Sequence, residues 1–358
     1  MKILQVITSL HIGGAEKLIV DMVPKYQERG YEVDVLLFDG TETPFTKQLM
    51  NKGIKIYDFG IGNHVYNPLN IFRLIPFLKK YDIVHTHNTA PQFFAAFGSL
   101  FCKVKLVTTE HSTSNRRRNL KWFRYIDKWM YNRYRSIICI SDAAEKNLKE
   151  YLQEYKALIC TIYNGVDVQH FVNAQPLLDL RTQAGNKCVV VMVAGFRYQK
   201  DQDTLIKAFN FLSKDKFELW LVGDGVRRKL LEELVRENGL QDSVHFLGIR
   251  SDVPSILKTA DIVVMSSHFE GLSLSNIEGM SVGKPFIASD VDGLHEMTKG
   301  VGVLFPHEDA VKLAKAIEYL SENRGAYITI ANQCLKKAEE FDISKTIIGY
   351  ERVYNSIK

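Results

Sequence analysis

Two glutamates, Glu270 and Glu278, stand eight positions apart in the run Glu270-Gly271-Leu272-Ser273-Leu274-Ser275-Asn276-Ile277-Glu278. The run follows an apolar segment and opens a short helix. That puts one carboxylate in a loop and the other on the helix. Paired carboxylates accept hydrogen bonds from sugar hydroxyls, and the amides between them, at a helix N-terminus, suit a phosphate. Upstream, Arg197 and Lys200 follow another apolar run, where each can give a charge-assisted hydrogen bond to a diphosphate. In isolation the two acids read as surface glutamates and the two cations as a solvated loop; together they read as a grip on ribose, diphosphate and hexose.

Gly13-Gly14-Ala15-Glu16 comes straight after the first apolar run. Glycines there let backbone amides approach a ligand, and the opening helix favours an anion; the alternative is a plain strand-to-helix turn. Neither this run nor Gly223-Asp224-Gly225 completes the three-glycine dinucleotide fingerprint. His111, after a strand and before Ser112-Thr113-Ser114, reads as a site histidine in preference to a core one. His85 and His87 share a strand face, lack an evident third ligand, and read as strand-end polar residues, so no metal site is expected.

Residues 116–135 carry Arg116, Arg117, Arg118, Lys121, Arg124, Lys128, Arg133 and Arg135, interleaved with Trp122, Phe123, Tyr125, Trp129, Met130, Tyr131 and Tyr134. On a helix, Trp122, Tyr125 and Trp129 share a side. Such a helix suits contact with an anionic membrane; the alternative is a domain helix with aromatics inward and cations in water. No nucleic-acid-binding motif accompanies the charge, so nucleic acid is not an expected partner.

These residues need elements to hold them. A chain of 358 residues, 46% hydrophobic and 24% charged with net charge +5, suits two soluble domains. No apolar run approaches the about 18 residues of a membrane span. The opening MKILQVITSL reads as a strand and not a signal peptide. The five cysteines form no CxxC pair and read as thiols in a reducing compartment, which suggests a cytoplasmic protein.

Apolar runs at 3–8, 33–38, 54–59, 83–87, 106–109 and 137–140 read as strands with helices between most of them, and a further run at 158–162 leads into a turn-rich stretch. After a weakly patterned stretch at 173–187 the pattern restarts, with strands at 189–193, 217–222, 244–247, 262–265 and 286–288 and helices at 204–212 and 230–237. Strands apolar on both faces imply buried parallel sheets. The expected fold is α/β: two Rossmann-like doubly wound domains, 1–172 and 173–342, with a terminal helix at 343–358 returning to the first. Ligands of such sheets bind at the carboxyl ends of the strands, so two facing edges would form a cleft.

Residues 270–293, EGLSLSNIEGMSVGKPFIASDVDG, resemble the EX7E region of glycosyltransferase family 4, a retaining family with the GT-B fold. The resemblance spans nearly the whole chain. Gly13-Gly14-Ala15-Glu16 is similar to the family's glycine-rich first loop, Thr109-Glu110-His111 to its histidine loop, Asn164-Gly165-Val166-Asp167 to its interdomain NGVD, Val222-Gly223-Asp224-Gly225 to its GDG turn, and Phe246-Leu247-Gly248 to its base-binding FLG.

The resemblance implies a first domain that binds acceptor and a second that binds donor. Glu270 would contact the transferred sugar and Glu278 the ribose hydroxyls. Backbone of the 271–275 loop, around Leu274 and Ser275, would hold the diphosphate with Lys200. Gly248, Ile249 and Arg250 would meet the base, His111 the reacting sugar, and Gly14 would leave room for the donor. Asn164 and Asp167 would lie on the acceptor side. Where the family carries an arginine five residues before the phosphate lysine, this chain has Gly195; Arg197, two positions on along the strand face, is expected to take that role.

The implied activity is transfer of a hexose or N-acetylhexosamine from a UDP- or GDP-sugar, without metal or cofactor. The implied acceptor is a glycan or polyprenyl-linked sugar of bacterial surface polysaccharide, capsule or lipopolysaccharide, at the inner face of the membrane. Two alternatives share the architecture: a nucleotide-sugar epimerase and a non-catalytic binding subunit.

Overall fold

The computed structural model describes all residues except 12, 63, 112–122, 271–273 and 358. The chain forms two compact units, Met1–Gly165 with Ile343–Lys358, and Val166–Asp342.

In the first unit the apolar runs become β1 (Lys2–Ile7), β2 (Glu32–Leu37), β3 (Ile56–Asp58), β4 (Ile83–His87), β5 (Lys105–Glu110), β6 (Ser136–Cys139) and β7 (Leu158–Thr161). All pair in parallel, in the order β3-β2-β1-β4-β5-β6-β7. Successive strand residues point to opposite faces. Leu4 and Val6 therefore enter one core layer and Ile3 and Ile7 the other. The terminal helix Ile343–Ser356 covers that second layer, burying Ile343, Ile347, Tyr350 and Tyr354 at helical spacing.

The second unit repeats the plan with β8 (Cys188–Val193), β9 (Phe217–Val222), β10 (Val244–Gly248), β11 (Ile262–Met265), β12 (Phe286–Ser289) and β13 (Val303–Phe305). The order is β10-β9-β8-β11-β12-β13, again wholly parallel. Two doubly wound α/β domains are thus present, as the strand pattern implied.

Details differ. The break placed at 172/173 lies between Gly165 and Val166. Val166 bridges Asp342, its N–H donates to the Phe341 carbonyl at 3.0 Å, and Val168 and Phe171 enter the second core. Those anchors draw 166–172 into the second unit. The stretch 173–187 contains a helix, Leu178–Ala184, tied down by Arg181 on Asp261 at 2.9 Å. The helix read at 204–212 runs Gln202–Ala208 and tightens into a 3-10 turn at Phe209–Phe211. The edge strand β13, three residues long, is too short to leave a periodic signal.

Candidate active site

In an open doubly wound sheet, the crevice for a ligand forms where strand order reverses, outside the carboxyl ends of the strands. That point lies between β1 and β4 in one unit and between β8 and β11 in the other. The glycine loop follows β1 and the Arg197–Lys200 loop follows β8. Glu270 lies beyond β11, and His87 ends β4. Topology alone therefore brings most of the chemistry-bearing residues to the two switch points.

In the second unit the Lys200 ammonium donates to Glu270 Oε1, which also accepts from Ser267 Oγ at 2.8 Å. The Glu270 side chain is 5% exposed and that of Lys200 16%. Two loops are stitched around this pair: His268 N–H donates to the Gln199 carbonyl at 2.8 Å and Gln199 Nε2 to the Phe269 carbonyl at 3.0 Å. Burying a carboxylate is costly without a cation, so Lys200 and Glu270 hold each other in place.

Glu278 is half-buried on the helix Leu274–Ser281, with Leu274 and Ser275 half-buried in its first turn. Gly271, Leu272 and Ser273 lie outside the described residues. Arg197 is exposed, and a Cβ added at Gly195 would start 3.9 Å from its Nε. The guanidinium thus lies beside the spot that a side chain at 195 would leave from.

The loops after β8, β9 and β10 are laced by backbone. Ala194 N–H donates to the Val222 carbonyl at 3.0 Å, Gly223 N–H to Gly248 at 2.8 Å and Phe196 N–H to Asp224 at 2.9 Å. Gly223 has φ +133, and a Cβ there would fall 2.1 Å from the Ala194 oxygen, so the turn requires glycine. Asp224 is engaged by Arg228 at 3.2 Å, which gives it a duty inside the fold. Gly248 ends β10, and Ile249 beyond it is exposed.

In the first unit, Gly13 begins the helix Gly14–Glu28 in extended conformation. The Glu16 carboxylate folds back so closely that a Cβ on Gly13 would meet Oε2 at 2.3 Å. That carboxylate already faces the helix N-terminus, so this loop suits a hydroxyl-bearing ligand better than the anion its glycines suggested. A Cβ on Gly14 would meet nothing within 4 Å among the described residues.

His111 sits in a buried polar chain that its sequence neighbours did not reveal. Gln5 Nε2 donates to Tyr354 Oη at 3.2 Å, so its Oε1, 2.8 Å from His87 Nε2, accepts. His87 therefore carries its proton on Nε2, and its bare Nδ1 accepts from His111 Nε2 at 2.8 Å. That leaves His111 Nδ1 unprotonated, buried and without a partner among the described residues. Tyr354 Oη lies 2.6 Å from His85 Nδ1, and His85 Nε2 lies 2.8 Å from Thr109 Oγ1. Burial holds His85 and His87 well below the usual histidine range and lowers His111 to about 4. All three are neutral at physiological pH. His85 and His87, read as strand-end polar residues, are fully buried and stack at 4.4 Å.

Asn164 is buried and Asp167 caps the helix Val168–Val172 through His170 N–H at 3.4 Å. Between them, a Cβ on Gly165 would lie 2.7 Å from Ile343 Cα. This run is shaped by its passage across the terminal helix.

Of the basic aromatic stretch, 116–122 lie outside the described residues; the helix Phe123–Tyr131 follows. Met130 and Tyr131 are buried, and Trp129 packs on Phe97 with ring centroids 4.5 Å apart. Trp129 and Tyr131 turn inward, as in the domain-helix alternative, while Tyr125 is exposed. Arg133 donates to Ser99 Oγ at 3.1 Å, beside exposed Leu100 and Phe101, and Phe101 meets exposed Phe72 at 6.3 Å. No helix among the described residues is long and apolar enough to cross a membrane.

Comparison with known proteins gives a consistent picture. Residues 12–170 match the family model described as Glycosyltransferase Family 4 and residues 181–341 that described as Glycosyl transferases group 1. The lipopolysaccharide core biosynthesis glycosyltransferase LpsD of Rhizobium meliloti is 29% identical over 87% of this chain and 85% of its own length. The UDP-Gal:alpha-D-GlcNAc-diphosphoundecaprenol alpha-1,3-galactosyltransferase of Escherichia coli is 26% identical over 80% and 78%. The crystal structure of Anabaena Alr3699/HepE in complex with UDP-glucose matches with a TM-score of 0.83 at 25% identity, over 99% of this chain and all of that one.

Proposed function

Because the chain belongs to glycosyltransferase family 4 and is a GT-B glycosyltransferase, we propose that it transfers a hexose or N-acetylhexosamine from a UDP- or GDP-sugar, with retention of configuration, to a glycan or lipid-linked sugar of bacterial surface polysaccharide. The observation that carries this reading is the Lys200–Glu270 pair at the switch point of the second sheet. A buried acid held by a cation at a strand's carboxyl end supports contact with a sugar through the acid and with its phosphates through the cation.

In the transfer, the bond from the anomeric carbon to the β-phosphate oxygen breaks, a bond to the acceptor oxygen forms, and the acceptor hydroxyl's proton passes to the departing diphosphate. The departing diphosphate gains charge, and Lys200, Arg197 and the amides opening the helix Leu274–Ser281 neutralise it without a metal. Such preorganised donors often supply the largest part of catalysis. Glu278 holds the ribose hydroxyls, Gly248 and Ile249 border the base, and the second unit is the donor domain. His111 in the first unit, with a bare Nδ1, accepts a hydrogen bond from a sugar hydroxyl, and Gly14 leaves space for the ligand.

A polyprenyl-linked acceptor requires work at a membrane surface. Exposed Phe72, Leu100 and Phe101 beside Arg133 supply the pairing of apolar and basic groups that an anionic bilayer binds. This supports a reading of the enzyme as working in the cytoplasm, at the inner face of the membrane.

A thermal-shift screen of UDP- and GDP-sugars tests the reading, since a ligand that binds only the folded chain raises its melting temperature with occupancy. Product analysis of the best donor with and without a lipid-linked acceptor follows. Conversion of donor to a stereoisomer without acceptor would assign an epimerase and overturn the proposal, as would the absence of any stabilising donor.

A further inference from the structure

We propose that Asp201, His268 and His307, supported by Glu308, bind one divalent ion of the zinc class in the second unit. The ion is structural and separate from the transfer chemistry proposed above.

Three loops deliver these groups. Asp201 follows β8, His268 follows β11, and His307 and Glu308 follow β13. One ligand atom from each of Asp201, His268 and His307 lies within 4.8 Å of the others. His268 Nδ1 is 2.8 Å from His307 Nε2 and 3.8 Å from Asp201 Oδ2. Glu308 Oε1 lies 3.4 Å from His268 Nδ1 and 3.9 Å from His307 Nε2.

The independent pointer is Asp201. The residue is 3% exposed. Its Oδ1 caps the helix Gln202–Ala208 by accepting from Thr204 N–H at 3.2 Å. Its Oδ2 is buried, faces His268, and has no hydrogen-bond partner among the described residues. A buried carboxylate oxygen left unpaired is costly, and burial raises the Asp201 pKa above the usual carboxylate range. The contact between His268 Nδ1 and His307 Nε2 satisfies those two nitrogens and leaves that oxygen with nothing.

An ion satisfies all of them. It takes His268 Nδ1, His307 Nε2 and Asp201 Oδ2 as ligands, while the proton between the rings moves to the outer nitrogen of the ring that gives it up, so both imidazoles ligate in the neutral form. Zinc binds imidazole at about 2.0–2.1 Å, so in a near-tetrahedral site two ligating nitrogens stand about 3.3 Å apart. The two rings must open by roughly half an ångström from their present contact to reach that spacing. His307 sits on a partly exposed loop, where its side chain has room to move. Two imidazoles with carboxylates select zinc, cobalt or nickel over magnesium or calcium, which prefer all-oxygen sites. Asp201 follows Lys200 directly and His268 lies two residues before Glu270, so the ion ties together the loops that carry this pair.

The test uses the full chain without an affinity tag, stripped by a chelator and dialysed. Zn2+ is titrated by calorimetry and Co2+ by visible absorption. The expected result is one ion per chain, visible d–d bands with Co2+, and a higher melting temperature with Zn2+. His307→Ala, on the exposed loop, and His268→Ala should each weaken Zn2+ by about tenfold or more, since even outer partners of a metal site cost that much. His307→Ala in chelator should melt with stripped wild type, which separates lost ligation from lost folding. No saturable binding, or Zn2+ affinity unchanged in His307→Ala, would overturn the proposal.

Discussion

His87 Nδ1 lies 2.8 Å from His111 Nε2, and this contact fixes which nitrogen of His111 bears the proton. The chain begins at Tyr354 and runs through Gln5 and His87, so the terminal helix sets the tautomer of a residue at the end of β5. Nitrogen-resolved NMR should show His111 wholly as the Nε2–H form. His87→Leu removes the acceptor, and the same spectra should then show both tautomers, with kcat/KM reduced about two- to tenfold for one weakened hydrogen bond. An unchanged single tautomer in that variant would contradict the relay.

The same chain makes stability depend on pH. His85, His87 and His111 are neutral and buried when folded, with His111 at about 4, and titrate near 6.5 when unfolded. Their contribution is complete above the unfolded value and is lost as pH falls toward the folded ones. Each then costs about 1.4 kcal/mol per pH unit, so urea unfolding should show a loss of about 4 kcal/mol between pH 7.5 and 5.5. Equal free energies at the two pH values would refute this.

Two glycines should respond in opposite ways. At Gly223, φ is +133 and a Cβ would strike the Ala194 oxygen at 2.1 Å, so Gly223→Ala should cost roughly 1–3 kcal/mol or more of stability by denaturant unfolding. At Gly14, where a Cβ meets nothing, alanine in the first helical turn should leave stability unchanged or raise it by up to about 1 kcal/mol. Its kcat/KM should nevertheless fall, because the open space is read as the ligand's. Full activity in Gly14→Ala would remove that assignment.

For the membrane surface, Phe72→Ser with Phe101→Ser replaces two exposed rings. The double variant should retain its stability and lose sedimentation with anionic vesicles, while neutral vesicles bind neither form. Equal sedimentation of variant and wild type with anionic vesicles would place the contact elsewhere.

Much of this was legible in the sequence, and the limits have physical causes. Apolar runs in β8 and β9 marked buried parallel strands, and Glu270 and Lys200 stood out as polar residues just beyond strand ends. Period and spacing locate faces within an element but do not say which distant elements meet. Gln5 and Tyr354, 349 positions apart, become neighbours only once the terminal helix folds over β1. His85 and His87 therefore looked like loose polar residues. Asp201 and His307 carried no signal for the same reason, since their loops converge only after the strands take the order β8-β11-β12-β13. The aromatic stripe at 116–135 was visible as periodicity, yet periodicity does not distinguish a face turned to lipid from one turned to core, and Trp129 and Met130 turn to core.

The central claim is that Lys200 grips the diphosphate of a sugar nucleotide while holding Glu270 for the sugar. Its most direct test is calorimetric titration of the best UDP- or GDP-sugar into wild type and Lys200→Ala at one pH and salt. Loss of a charged hydrogen bond predicts affinity weaker by about 1.5–3 kcal/mol, roughly ten- to 150-fold, with a parallel fall in transfer rate. Equal affinity and equal rate in the folded variant would contradict the account.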